Sequence, residues 1–254
     1  MELVEFDRYR RWLFWLPGLL LVFALVGAAA LSHTEIINQG STQNVRVVVS
    51  HTRTDLDGLA IVAAFIAMIF ATANGLSLCR ESETVALSWT KPISRTGVAL
   101  RIFAVDIAML AIVYVFAWAV ALGFLAFLHT QYMNAERLPA AIVLTLGIVL
   151  MWYGLMQVIT AQLNPGARAV VGLAWPVALL LTAVKGQFGG TLNALVSVAN
   201  VVNPLAYTDT SVSNTSTLES AFWTFPIELR AFMVWVMALA FLAIASAIWT
   251  RREA

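Results

Sequence analysis

"IFAVDIAMLAIVYVFAWAVALGFLAFL", residues 102–128, decides the fold. It runs for 27 residues with one charged side chain, Asp106. The hydrocarbon core of a bilayer is roughly 30 Å thick and takes about 20 helical residues to cross. Inside lipid every backbone polar group must find its partner within the chain, so a run of this kind is helical. Strict apolar/polar alternation in units of about ten residues, which marks a membrane β-barrel, is absent.

The whole chain has the same character. It is 254 residues long, 61% hydrophobic and 11% charged, whereas a soluble domain carries about 25% charged residues. Five more runs are long and apolar enough to cross, near 12–31, 58–78, 139–161, 167–185 and 229–249. The expected fold is therefore an all-α, polytopic membrane protein of six transmembrane helices, forming one transmembrane domain over residues 1–254. A net charge of +1 points to no class of partner. Cys79 is the only cysteine, which excludes a disulfide framework within the chain and a cysteine-rich metal site.

Basic residues set the expected orientation. Arg8, Arg10, Arg11, Arg80, Lys91, Arg95, Arg101, Arg168, Arg251 and Arg252 fall on one side, and Arg46, Arg53, Arg137, Lys185 and Arg230 on the other. The positive-inside rule makes the richer side cytoplasmic. Both termini are then inside a cell membrane, crossed several times. "TLNALVSVANVVNPLA", 191–206, is apolar enough to suggest a seventh crossing, but Asn193, Asn200, Asn203 and Pro204 interrupt it. It reads instead as one or two short external helices. The N-terminal run resembles a signal peptide, but its apolar part is long for that role, and it reads as an uncleaved first span. "NPGAR", 164–168, has turn chemistry, so the spans on either side should be antiparallel neighbours. The valine run in "NVRVVVSHTRTDLDG" suggests a short strand in the loop before the second span.

Between the second and third spans lies "ESETVALSWTKPISRTGVALR", 81–101, where charge is concentrated. Ser82 can cap a helix beginning at Glu83, whose charge suits the helix N-terminus. Pro92 stops it. Val85, Leu87 and Trp89 also alternate as in a strand, although a lone strand at a membrane surface leaves unpaired edges. A short helix across the inner ends of the bundle is the better expectation. A solvated loop explains Arg80 and Arg101, which flank spans. It does not explain a capped, proline-terminated segment with an exposed tryptophan, a feature of contact sites.

The stretch "NGLSLCRESETVALSWTKPISRTGVALRIFAVD" resembles the segment between spans two and three of ABC-2-type transporter permeases, the membrane subunits of ABC exporters. The shared features are Glu81, the apolar Val85 to Trp89, Pro92, Arg95 and Leu100. The six-span layout, inside termini and "NPLAY" before the last span are also similar to that family. The departures are Glu83-Thr84, where a glycine-threonine pair is common, and a short N-terminal helix. The resemblance implies an ATPase-coupling helix that seats in a groove of a separate cytoplasmic ATPase, with Arg80, Glu81, Glu83, Val85, Trp89, Lys91, Pro92 and Arg95 as its docking residues. It implies two ATPase copies, a second permease copy and alternating access. The chain has no GxxxxGK[ST] phosphate loop. ATP and Mg are thus expected on the partner, with no cofactor in this chain and no enzyme activity of its own.

Asn74, Asp106, Gln157, Thr160 and Gln162 are the candidate functional polar residues in or at the ends of the spans. An ionisable group in a bilayer marks function by default. Near the interface, though, Asp106 is also explained by pairing with Arg95 or Arg101, or by the helix N-terminus. The amides and Thr160 either line a substrate path or bond neighbouring helices. Pro176 can kink the fifth span. His33, His51 and His129 fix no metal geometry by their spacing. A membrane-embedded enzyme would need a cluster of reactive groups within the spans, and only Asp106 is there. A structural or assembly subunit of a membrane complex is a third reading.

Overall fold

The computed structural model describes residues 32–38, 48–76, 95–127, 131–133, 138–162, 167–184, 187, 189–208 and 227–251. In order these form β1 (Ser32–Asn38), β2 (Val48–Asp55), α1 (Leu56–Asn74), α2 (Arg95–Phe127), β3 (Gln131–Met133), α3 (Leu138–Gln162), α4 (Ala167–Ala183), α5 (Gly190–Val201), a 3-10 turn (Pro204–Thr208) and α6 (Ile227–Arg251). Among the described residues, three helical segments are long and apolar enough to cross a membrane: Thr96–Gly123, Leu138–Ala161 and Ile227–Arg251. The apolar helices Gly58–Asn74, Ala169–Ala183 and Gly190–Val201 are shorter. The expected spans at 102–128, 139–161 and 229–249 thus coincide with α2, α3 and α6. Those at 58–78 and 167–185 fall on α1 and α4, and 12–31 lies outside the described residues.

Contacts divide the chain into two compact units, residues 1–66 with 113–138 and residues 67–112 with 139–254. In the first, β1 and β2 pair antiparallel from Ser32↔Thr54 to Asn38↔Val48. β3 adds in parallel to β2 from Arg53↔Gln131 to Asp55↔Met133. Outside this sheet the described elements are all helical, as expected. The valine run does enter β2, but the strand continues through the polar "SHTRTD". Pairing with β1, rather than local propensity, sets its length. The start of α1 buries Leu59, Ala60, Ala63 and Ala64, and the end of α2 buries Tyr114, Ala117, Trp118 and Ala121.

The second unit packs its helices through small residues. On α6, Ala231, Val234, Ala238 and Ala245 are buried, a spacing of three, four and seven that marks one face. They meet glycines of α3. A Cβ on Gly154 would lie 3.0 Å from Phe241 Cβ and 3.2 Å from the Ala238 carbonyl oxygen, so only hydrogen fits there without a shift. Trp235 Nε1 donates to the Val143 carbonyl at 2.9 Å across the same pair of helices. Lipid gives helices no hydrophobic drive toward each other, so close backbone approach and such bonds hold them together. The opposite faces remain apolar and exposed, with Phe232, Val236 and Leu239 on α6 and Leu173, Val177 and Leu180 on α4. Such a surface suits hydrocarbon rather than water.

Candidate functional site

The polar residues of the second unit gather at the end of α1. A helix end leaves carbonyls without donors, and a buried one must be satisfied by something else. The amide of Gly75 donates to the carbonyls of Ala71 and Thr72, at 2.8 and 3.2 Å. Two side chains of α3 take the carbonyls of Asn74 and Gly75. Gln157 Nε2 donates to Asn74 O at 3.0 Å, and Thr160 Oγ1 donates to Gly75 O at 2.6 Å. The approach is close enough to require glycine, because a Cβ at Gly75 would lie 2.5 Å from Met156 Cβ.

One turn earlier, Thr72 ties three helices together. Its hydroxyl accepts from Trp152 Nε1 of α3 at 2.8 Å and from Trp175 Nε1 of α4 at 2.9 Å. It donates to Met68 O at 2.7 Å, which uses its one proton and both lone pairs. The two indole rings meet at 4.9 Å with a 48° tilt.

Asp106 is buried at 1% exposure, and its Oδ2 accepts from the Tyr153 hydroxyl at 2.7 Å. Phe103 packs edge-on against the same ring at 6.2 Å. Arg101, one of the partners expected for Asp106, is five positions earlier, about 140° around the helix, and lies on the exposed side of α2. Tyr153, Gln157 and Thr160 follow the i, i+4, i+7 rule for one helix face.

A second polar cluster clasps the end of α4. Asn203 Nδ2 lies 3.0 Å from each of Ala178 O, Thr182 Oγ1 and Asn200 Oδ1. Asn200 Nδ2 donates to Leu181 O at 2.9 Å, one of the orphan carbonyls of the α4 C-terminus. Asn203 Oδ1 accepts from the Leu205 amide at 3.2 Å, closing the 3-10 turn. Gly190 opens α5 at φ +65°, a left-handed value that suits glycine. The helix it begins is inverted relative to one on a water-soluble protein. Leu195 and Val198 are each 67% exposed while Asn200 is fully buried. The short helix and turn fall in 191–206, where one or two short helices were expected. Pro204, Leu205, Ala206 and Tyr207 are buried in the turn. The Tyr207 hydroxyl donates to Val201 O at 2.9 Å, and burial pushes its pKa up to about 12.

The structure thus brings Asn74, Gln157 and Thr160 together and places Asp106 beside Tyr153 on the same face of α3. The side chains of Arg95 and Gln162 lie outside the described residues, as do Arg80, Glu81, Glu83, Val85, Trp89, Lys91 and Pro92. Thr72, Trp152, Tyr153 and Trp175 were absent from the expected set. The signal for the last three was an indole N–H or phenol O–H inside an apolar helix, which needs a partner when buried. Among the described residues no group of three or more His, Cys, Asp or Glu side chains is arranged to hold a metal. No family model, curated protein or solved structure matches the chain.

Proposed function

We propose that this chain is the membrane-spanning permease subunit of an ATP-driven ABC transporter of the ABC-2 type, with six spans and both termini cytoplasmic. Two copies, or this chain and a similar one, form the translocation path at their interface. Two separate ATPase subunits bind ATP and Mg and drive export by alternating access. Residues 81–92 are the coupling segment, and Glu81, Glu83, Trp89 and Pro92 make the contact.

The reading is supported by where that segment falls in the sequence. It follows α1, whose end is bonded to α3 through Gln157 and Thr160, and precedes α2, a helix of 33 residues. A push applied there reaches two helices directly and a third through hydrogen bonds. The inverted α5 and its 3-10 turn, set between α4 and α6, add support through their likeness to the apolar segment before the last span of such permeases.

Purification of the tagged chain from its native membrane tests the proposal. A stoichiometric ATPase subunit is expected, and its retention should fall in the double variant Glu81→Ala/Trp89→Ala. Catalytic activity in the isolated chain, or a complex with no ATPase in it, would refute the reading.

A further inference from the structure

Helix α4 is gripped at two places with a break between them. Pro176 lies inside the helix. It has no N–H to give to the carbonyl of Gly172, and its ring crowds that carbonyl. Gly172 and Pro176 are both exposed, and a Cβ at Gly172 would meet nothing within 4 Å. Both thus sit on a face of the helix left open among the described residues.

Before the break, Trp175 is fixed to Thr72 of α1 and stacked on Trp152 of α3. After it, Asn203 holds Ala178 and Thr182, and Asn200 holds Leu181. The first grip fastens the start of α4 to the helix bundle. The second fastens the end of α4 to α5 and the 3-10 turn, through bonds that use backbone carbonyls and therefore travel with the helix.

We infer that the part of α4 after Pro176, α5 and the 3-10 turn form a cap that swings as one body about Pro176, with the Thr72–Trp152–Trp175 junction as its fixed pivot. The inference stands apart from the transport reading, since it concerns what this chain's helices do whichever machine moves them. Sharp helix kinks exceed about 20° and arise at proline. The arm from Val177 to Ala183 is about 10 Å at a rise of about 1.5 Å per residue. A change of about 20° moves its far end by about 4 Å.

Spin labels at Leu195→Cys on α5 and Phe232→Cys on α6, in a Cys79→Ser background, read this movement in lipid nanodiscs. Both positions are exposed. The expected result is two distances separated by about 4 Å in the otherwise native chain, and one distance after Pro176→Ala restores the helix bond. Asn203→Ala should merge the two distances into one broad distribution, because the clasp no longer carries α5 with α4. A single narrow distance in the native chain overturns the inference. So does a pair of distances that survives Pro176→Ala, or that stays resolved after Asn203→Ala.

Discussion

Replacing Thr72 by valine removes one hydroxyl and keeps the side-chain shape. The hydroxyl accepts two indole N–H bonds, at 2.8 and 2.9 Å, and both donors then lose their acceptor. Trp152 is fully buried, so its N–H cannot turn to water. Bonds between helices in a membrane average about 0.6 kcal/mol and reach about 1.7 kcal/mol. Two of them give an expected loss of about 1–3 kcal/mol. The bond from Thr72 to Met68 O is local to α1, and threonine and valine differ little in helix propensity, so neither changes that figure much. Thr72→Ser keeps the acceptor and should stay within about 0.5 kcal/mol of the native chain. Thermal unfolding in detergent, with Thr72→Ser as control, measures the difference. At this chain length each kcal/mol moves the midpoint by about 2–4 °C. Equal midpoints for Thr72→Val and the native chain would refute the junction, as would equal losses for valine and serine.

Gly154→Leu forces a side chain between α3 and α6 where a Cβ alone already sits 3.0 Å from Phe241 Cβ. It should cost about 1–3 kcal/mol as overpacking, read as a lower unfolding midpoint. Tyr153→Phe takes a donor from the buried Asp106 and should cost about 0.5–1.5 kcal/mol. Asp106→Asn keeps an acceptor and should cost less than Tyr153→Phe in the same unfolding assay. Tyr207 has a pKa raised by burial to about 12, so the folded chain holds this proton after the unfolded chain has lost it. Its contribution is intact below pH 10 and is lost as the pH rises toward 12. The native chain should therefore lose stability relative to Tyr207→Phe only above pH 10.

The apolar runs made the long helices legible. Residues 102–128, 139–161 and 229–249 needed only length and hydropathy, because lipid leaves the backbone few alternatives. The asparagines of 191–206 gave away the short helix and turn for the same reason, since amides in an apolar run require a local partner. The sheet was less visible. "SHTEIIN" has no clean alternation, and it becomes a strand through its pairing with β2. The polar node was half legible. Asn74, Gln157 and Thr160 stand out as polar letters in oily runs. Trp152 and Trp175 read as ordinary apolar or interfacial residues, and their shared acceptor lies 80 and 103 positions away. No periodicity encodes that distance.

The account rests on residues 81–92 facing the cytosol. A single cysteine in place of Pro92, in a Cys79→Ser background, reports that face through a membrane-impermeant thiol reagent. The account predicts labelling in inverted membrane vesicles and none in intact cells. Labelling from outside intact cells would contradict it.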